Sequence, residues 1–151
     1  MDEIKRILCP IDFSDPSLTA LHTAAELAER FSAMLLVAHV VPPVPVAVIP
    51  QAVPSFDVPT YQRELEKSAK EKIDELMKNE ELGDIDSGAM VVAGPPGYEI
   101  PRIAEREDAD LIVVATHGQS GWRSALFGSV AEQVVRHAGC PVLTIPEPGE
   151  K

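Results

Sequence analysis

The chain has 151 residues, is 45% hydrophobic and 25% charged, and carries a formal net charge of −11. That size supports one folded core, and that composition belongs to a soluble globular domain. The charge excludes nucleic-acid binding through a broad positive field, and any anion site must work through local groups such as oriented amides, a helix end or a bound cation.

In chain order, helices alternate with apolar strands. Ile4 to Ile11 reads as a strand. Ser14 is a candidate N-cap, with Asp15 and Pro16 in the first turn, where both are favoured. Leu18, Leu21, Ala25, Ala28 and Phe31 follow at helical spacing. Met34 to Val41 is apolar at every position but His39, as expected of a parallel strand buried on both faces. Six prolines then fall between Pro42 and Pro59, which predicts an irregular crossover over 42–59. Tyr61, Leu65, Ala69, Ile73 and Leu76 form one helical stripe, read as a core face with a solvated charged face opposite. Asp86 to Ala93 contains a third strand, Gly94 to Gly97 a turn, and Tyr98 to Glu107 a helix burying Ile100, Ile103 and Ala104. Leu111 to Ala115 is a fourth strand. Ser129 to Ala138 is a helix with Val130, Val134 and Val135 inward, and Pro141 to Ile145 is a fifth strand, followed by a tail at 147–151. Five strands separated by helices predict a single-domain, right-handed, doubly wound parallel sheet over 1–151.

In such sheets ligands bind beyond the carboxyl ends of the strands, where the winding reverses. Two strands end in suggestive chemistry: Pro10-Ile11-Asp12-Phe13-Ser14, and Ala115-Thr116-His117-Gly118. Nine residues separate Gly118 from Gly128, and a helix signal starts at Ser129. A strand, a glycine turn and a fresh helix N-terminus can hold a phosphate on backbone N–H groups and the positive end of the helix dipole. Asp12 is placed either to accept from a ribose hydroxyl or to cap the following helix. Ser129-Val130-Ala131-Glu132 has the spacing of a capping box, which can coexist with phosphate contact by Ser129. His117 could polarise a phosphoryl oxygen or relay a proton, but with no nearby carboxylate evident in the sequence to orient it, it reads as fixing the turn by hydrogen bonding. Arg123 reads equally as a phosphate contact or a solvated cation, and Trp122 and Phe127 as a lid or contact surface. Cys9 and Cys140 sit in or beside apolar strands and read as buried thiols in a reducing cytoplasm, and no cysteine, histidine or carboxylate set has metal-ligand spacing, so no structural metal is expected. Met1-Asp2-Glu3-Ile4-Lys5-Arg6 lacks the apolar stretch of a signal peptide, and no run approaches the roughly 20 residues of a membrane span.

Other phosphate-handling folds fit less well. The P-loop pattern G-x-x-x-x-G-K-[ST] is absent. A phosphorylated receiver domain would need a carboxylate at the end of the third strand, where Val91-Val92-Ala93-Gly94 stands. An ATP pyrophosphatase would need a glycine-rich turn after the first strand, where Pro10 to Ser14 stands. A flavin-carrying electron-transfer subunit would usually be longer.

The sequence Ala115-x2-Gly118-x9-Gly128-Ser129 resembles the Gly-x2-Gly-x9-Gly-Ser/Thr pattern of nucleotide-binding universal stress proteins. The resemblance extends to Cys9-Pro10-Ile11-Asp12-Phe13-Ser14, to His39-Val40, and to Cys140 through Ile145, covering the chain in order apart from 42–59. It implies the adenine-nucleotide alpha-hydrolase-like sheet, with strand order 3-2-1-4-5. It further implies ATP (or ADP or AMP) with Mg²⁺: adenine beside Val40, and Pro10, Ile11 and Asp12 along the base and ribose. Ala115, Thr116, His117, Gly118, Gln119, Ser120, Gly121 and Gly128 would wrap ribose and phosphates, and Ser129, Val130 and Ala131 would hold phosphates. The family pattern also implies a homodimer through Pro141, Val142, Leu143, Thr144 and Ile145. Ala115 replaces the first motif glycine. Alanine suffices if that position needs a small side chain, but weakens binding if it needs positive φ. The expected protein is a cytoplasmic, dimeric stress-response regulator with slow or no hydrolysis, acting through an unidentified protein partner and binding neither nucleic acid nor membrane. The alternative is a nucleotide-free dimeric interaction protein of the same fold.

Overall fold

The computed structural model describes residues 2–45, 57–118 and 127–148. The elements run β1 (Arg6–Pro10), α1 (Asp15–Phe31), β2 (Met34–Val41), α2 (Val58–Asn79), β3 (Ser87–Ala93), α3 (Pro96–Arg106), β4 (Leu111–Ala115), α4 (Ser129–His137) and β5 (Val142–Ile145). The strands form one parallel sheet of order β3-β2-β1-β4-β5.

The apolar runs are continuous because helices cover both faces. Successive strand residues point to opposite sides. Ile7 and Cys9 of β1, Leu35 and Val37 of β2, and Leu111 and Val113 of β4 face Ala20, Leu21, Ala24 and Ala28 of α1 and Ile73 of α2. The alternate residues Leu8, Ala38, Val40, Ile112 and Val114 face Ile100, Ile103 and Ala104 of α3 and Val134 of α4.

Several helix boundaries differ from the sequence reading. α2 starts at Val58, inside the expected crossover, with Asp57 as N-cap and a proline in its first turn. α3 starts at Pro96, two residues before Tyr98, since proline fits the first helical turn, where its missing N–H is no loss. Gly97 is thereby buried against Gln133 of α4, where a side chain would stand 2.8 Å from the Gln133 Cβ. Val135, expected inward, is 48% exposed; the inward stripe of α4 runs instead through Ala131 and Val134.

Pro10 positions the site. β1 pairs with β2 through Pro10↔Ala38, but with β4 only through Leu8↔Ile112. In a parallel sheet, alternate residues of a central strand turn their backbone groups to opposite neighbours. Ile11 N–H donates to Ala38 O on the β2 side, and Arg6 O accepts from Asp110 N–H on the β4 side. Pro10 therefore belongs to the β4-facing set, and its missing donor falls where that ladder stops. β1 and β4 part at their carboxyl ends, and a cleft opens there.

Candidate functional site: a cleft at the strand reversal

The cleft encloses about 550 Å³, within the roughly 300–1,000 Å³ of small-molecule sites. Its lining includes Pro10, Ile11 and Asp12 from the end of β1, Val40 from β2, Ala115, Thr116, His117 and Gly118 after β4, and Gly128, Ser129, Val130 and Ala131 at the start of α4. These are all the sequence-predicted site residues that fall within the described segments. Gln119, Ser120 and Gly121 lie outside them, as do Trp122 and Arg123.

The β1 side is a hydrogen-bonded turn. Asp12 Oδ1 accepts from the Ser14 N–H at 3.0 Å and from the Ser14 hydroxyl. Ser14 is the N-cap of α1, its Oγ accepting from Ser17 N–H at 3.3 Å. The buried Ser17 hydroxyl donates to Ser14 O at 2.8 Å and accepts from Asp12 N–H at 3.4 Å. Asp12 thus supports the cap without being the cap. Between them Phe13 adopts φ 64°, a left-handed conformation that is unfavourable for a bulky side chain. His39 Nδ1 lies 2.8 Å from Ile11 O, and since a carbonyl only accepts, Nδ1 carries the hydrogen.

The β4 side explains two glycines. The second carboxylate oxygen of Asp12 lies against Gly118 Cα; any Cβ there would overlap it and stand 3.3 Å from Asp12 Cγ. Gly128 N–H donates to Thr116 O at 2.6 Å, and a Cβ on Gly128 would meet that same oxygen at 3.1 Å. His117 Nδ1 and Thr116 Oγ1 are 3.1 Å apart, as expected of a turn-fixing histidine. Ala115 is the last residue of β4, paired with Ile145, and is not among the positive-φ residues. The position asks for a small side chain on an extended backbone, which alanine supplies.

The capping box does not form. Gly128 takes the N-cap with ψ 164°, which moves Ser129 to the first helical position, and α4 has no side-chain cap. Glu132, which the box would turn back toward the helix start, instead pairs with Arg136 at 2.9 Å. The amides of Ser129, Val130 and Ala131 have no intrahelical acceptor, as in any first turn. All three residues line the cleft, so the positive end of the helix faces it.

Sequence reasoning missed the far wall. Leu65, Ser68, Ala69 and Lys72 of α2 line the cleft, with Pro96 and Ile100 of α3. The stripe read as one core face is divided: Ile73 and Leu76 pack into the core, while Leu65 forms cleft wall and Tyr61 is 40% exposed. Helical period marks a face without saying what covers it. Among the described residues no three His, Cys, Asp or Glu side chains cluster as a metal site, and no helix is long and apolar enough to cross a membrane.

Fold and cleft together define an open, doubly wound α/β domain with a crevice at its topological switch point. The family model described as the universal stress protein family matches residues 3–146. Universal stress protein MJ0531 of Methanocaldococcus jannaschii is 35% identical over 95% of this chain and 83% of its own length. Universal stress protein MJ0577 of the same organism is 28% identical over 93% of this chain and 94% of its own. Among solved structures, the universal stress protein UspA of Lactobacillus plantarum superposes with a TM-score of 0.78 at 25% identity, covering 96% of this chain and 99% of that one. A universal stress protein in complex with cAMP superposes at 0.63, also with 25% identity, covering 96% and 98%. The chain belongs to the universal stress protein family.

Proposed function

We propose that this chain binds an adenine nucleotide, ATP with Mg²⁺, in the cleft between β1 and β4, and acts as a cytoplasmic dimeric regulator rather than an efficient enzyme. The observation that carries the reading is the uncapped N-terminus of α4 opening onto a cleft of about 550 Å³. Adenine lies beside Val40; Pro10, Ile11 and Asp12 run along base and ribose; Ala115 to Gly121 and Gly128 wrap ribose and phosphates; and the amides of Ser129, Val130 and Ala131 receive phosphate oxygens. The cAMP complex of a related universal stress protein supports an adenine-nucleotide ligand. The donor set suits the group: amides for the phosphates, with the Mg²⁺ carried in on those phosphates, and Asp12 for a ribose hydroxyl. His117 Nδ1 lies 3.1 Å from Thr116 Oγ1, in keeping with a turn-fixing role, and any hydrolysis rests on positioning and is slow.

Two copies pair through Pro141, Val142, Leu143, Thr144 and Ile145. β5 ends the sheet, and Leu143 is 39% exposed on it. An unpaired edge of this kind is a template for another strand. That exposed edge also favours the alternative of a nucleotide-free dimeric interaction protein.

Titration calorimetry with Mg-ATP separates the two. Saturable binding, abolished by Ser129→Glu without loss of the folded state, supports the nucleotide reading. No heat and no thermal stabilisation at millimolar Mg-ATP overturns it.

A further inference from the structure

The α2 wall carries a charge that the glycine motif does not anticipate. Lys72 is the sole lysine or arginine among the described residues that line the cleft. Its Nζ lies 5.0 Å from the centroid of the Phe13 ring. Among the described residues it makes no carboxylate ion pair, in a chain with 24 acidic and 13 basic side chains.

The platform under that ammonium is fixed at several points. Phe13 is held between Asp12 and Ser14 at φ 64°. Its ring packs on His39 with centroids 4.7 Å apart, and His39 is tied to Ile11 O. An aromatic face attracts a cation without neutralising it, whereas a carboxylate would cancel it. A lysine is a compact charge on a flexible four-carbon stem, able to follow an anion within reach. Ser68, one turn before Lys72, lines the same wall and adds a hydroxyl.

We infer that Lys72 is a specificity-determining residue, the positive charge with which the cleft favours phosphate-bearing ligands over the uncharged nucleoside. This inference rests on the nucleotide reading above. The amides of α4 supply fixed dipoles, whereas Lys72 supplies a whole charge that leaves the Phe13 ring for a phosphate oxygen when the ligand enters.

The test is calorimetry of the parent chain, Lys72→Met and Lys72→Arg with adenosine, AMP, Mg-ADP and Mg-ATP, each at low and at physiological salt. Lys72→Met should weaken Mg-ATP and Mg-ADP by about three- to tenfold at low salt, leave adenosine within about twofold, and flatten the salt dependence. Lys72→Arg should restore most of the loss. Unchanged Mg-ATP affinity in Lys72→Met overturns the inference. So does an equal loss for adenosine and Mg-ATP, which would assign Lys72 a packing role through Phe13. A parent chain that binds none of the four ligands overturns the nucleotide reading itself, a result distinct from a parent that binds and a variant that is indifferent. Thermal melts of the variants confirm that each remains folded, since Lys72 is exposed.

Discussion

Gly118→Ala tests the contact between the two halves of the cleft. A methyl group at Gly118 would overlap the Asp12 carboxylate oxygen that lies against it and stand 3.3 Å from Asp12 Cγ. The carboxylate is not free to rotate, because its other oxygen accepts from both the N–H and the hydroxyl of Ser14. Turning it away weakens one or both of these bonds, which costs about 1–2 kcal/mol for a partly buried carboxylate. For a domain of this length that lowers Tm by about 3–6 °C. In an Asp12→Ala background the obstacle is gone, so Gly118→Ala should then cost less than about 0.5 kcal/mol, leaving an interaction energy near 1 kcal/mol in the cycle. Urea unfolding of the four proteins measures it with no ligand present. Calorimetry with Mg-ATP adds a functional arm, in which Gly118→Ala should bind at least about tenfold more weakly, because it misplaces Asp12, the proposed ribose contact. An equal stability cost in both backgrounds would refute the steric reasoning, and parent-like Mg-ATP affinity in Gly118→Ala would refute its link to function.

Gly97→Ala should destabilise by about 1–3 kcal/mol, because the new methyl meets Gln133 Cβ as well as its flexible tip; Gln133→Ala should rescue only part of this in urea unfolding, and full rescue would show that the tip alone obstructs. Burial pushes the Cys9 thiol from 9.0 up to about 12. A thiol whose folded pKa is raised contributes stability that is intact below about pH 9 and lost as pH climbs toward 12. Parent stability should therefore fall by up to about 4 kcal/mol more than that of Cys9→Ala across that window, and equal slopes in alkaline urea titrations would contradict the assignment. Leu143→Asp on the exposed face of β5 should convert a dimer to a monomer in sedimentation without lowering Tm by more than about 3 °C; a dimer that survives the change places the interface elsewhere.

The fold was legible in residues that obey one rule at a time. Met34 to Val41 is an apolar run interrupted only by His39, and β2 has those bounds. Leu111 to Ala115 likewise became β4. The motif residues that fall in described segments also converge, because each lies at the end of a strand or the start of a helix, and the parallel topology brings those ends to one edge. What the sequence hid depends on competition between neighbours. Ser129 has the chemistry of an N-cap, but Gly128, drawn to Thr116 O, starts the helix one residue earlier and leaves the amides uncapped. The α2 wall carried no local signal: Leu65 and Ile73 share one stripe, and only the height of the helix relative to the sheet edge decides which meets core and which meets cleft. Pro10 read as one more strand residue, yet its missing donor ends the β1–β4 ladder.

The 2.6 Å bond from Gly128 to Thr116 staples together the two stems of the excursion that joins β4 to α4. With the stems latched, the distance from strand end to helix start no longer depends on the residues between them. The sheet and α4 therefore keep their register through this latch, whatever sequence joins the two stems.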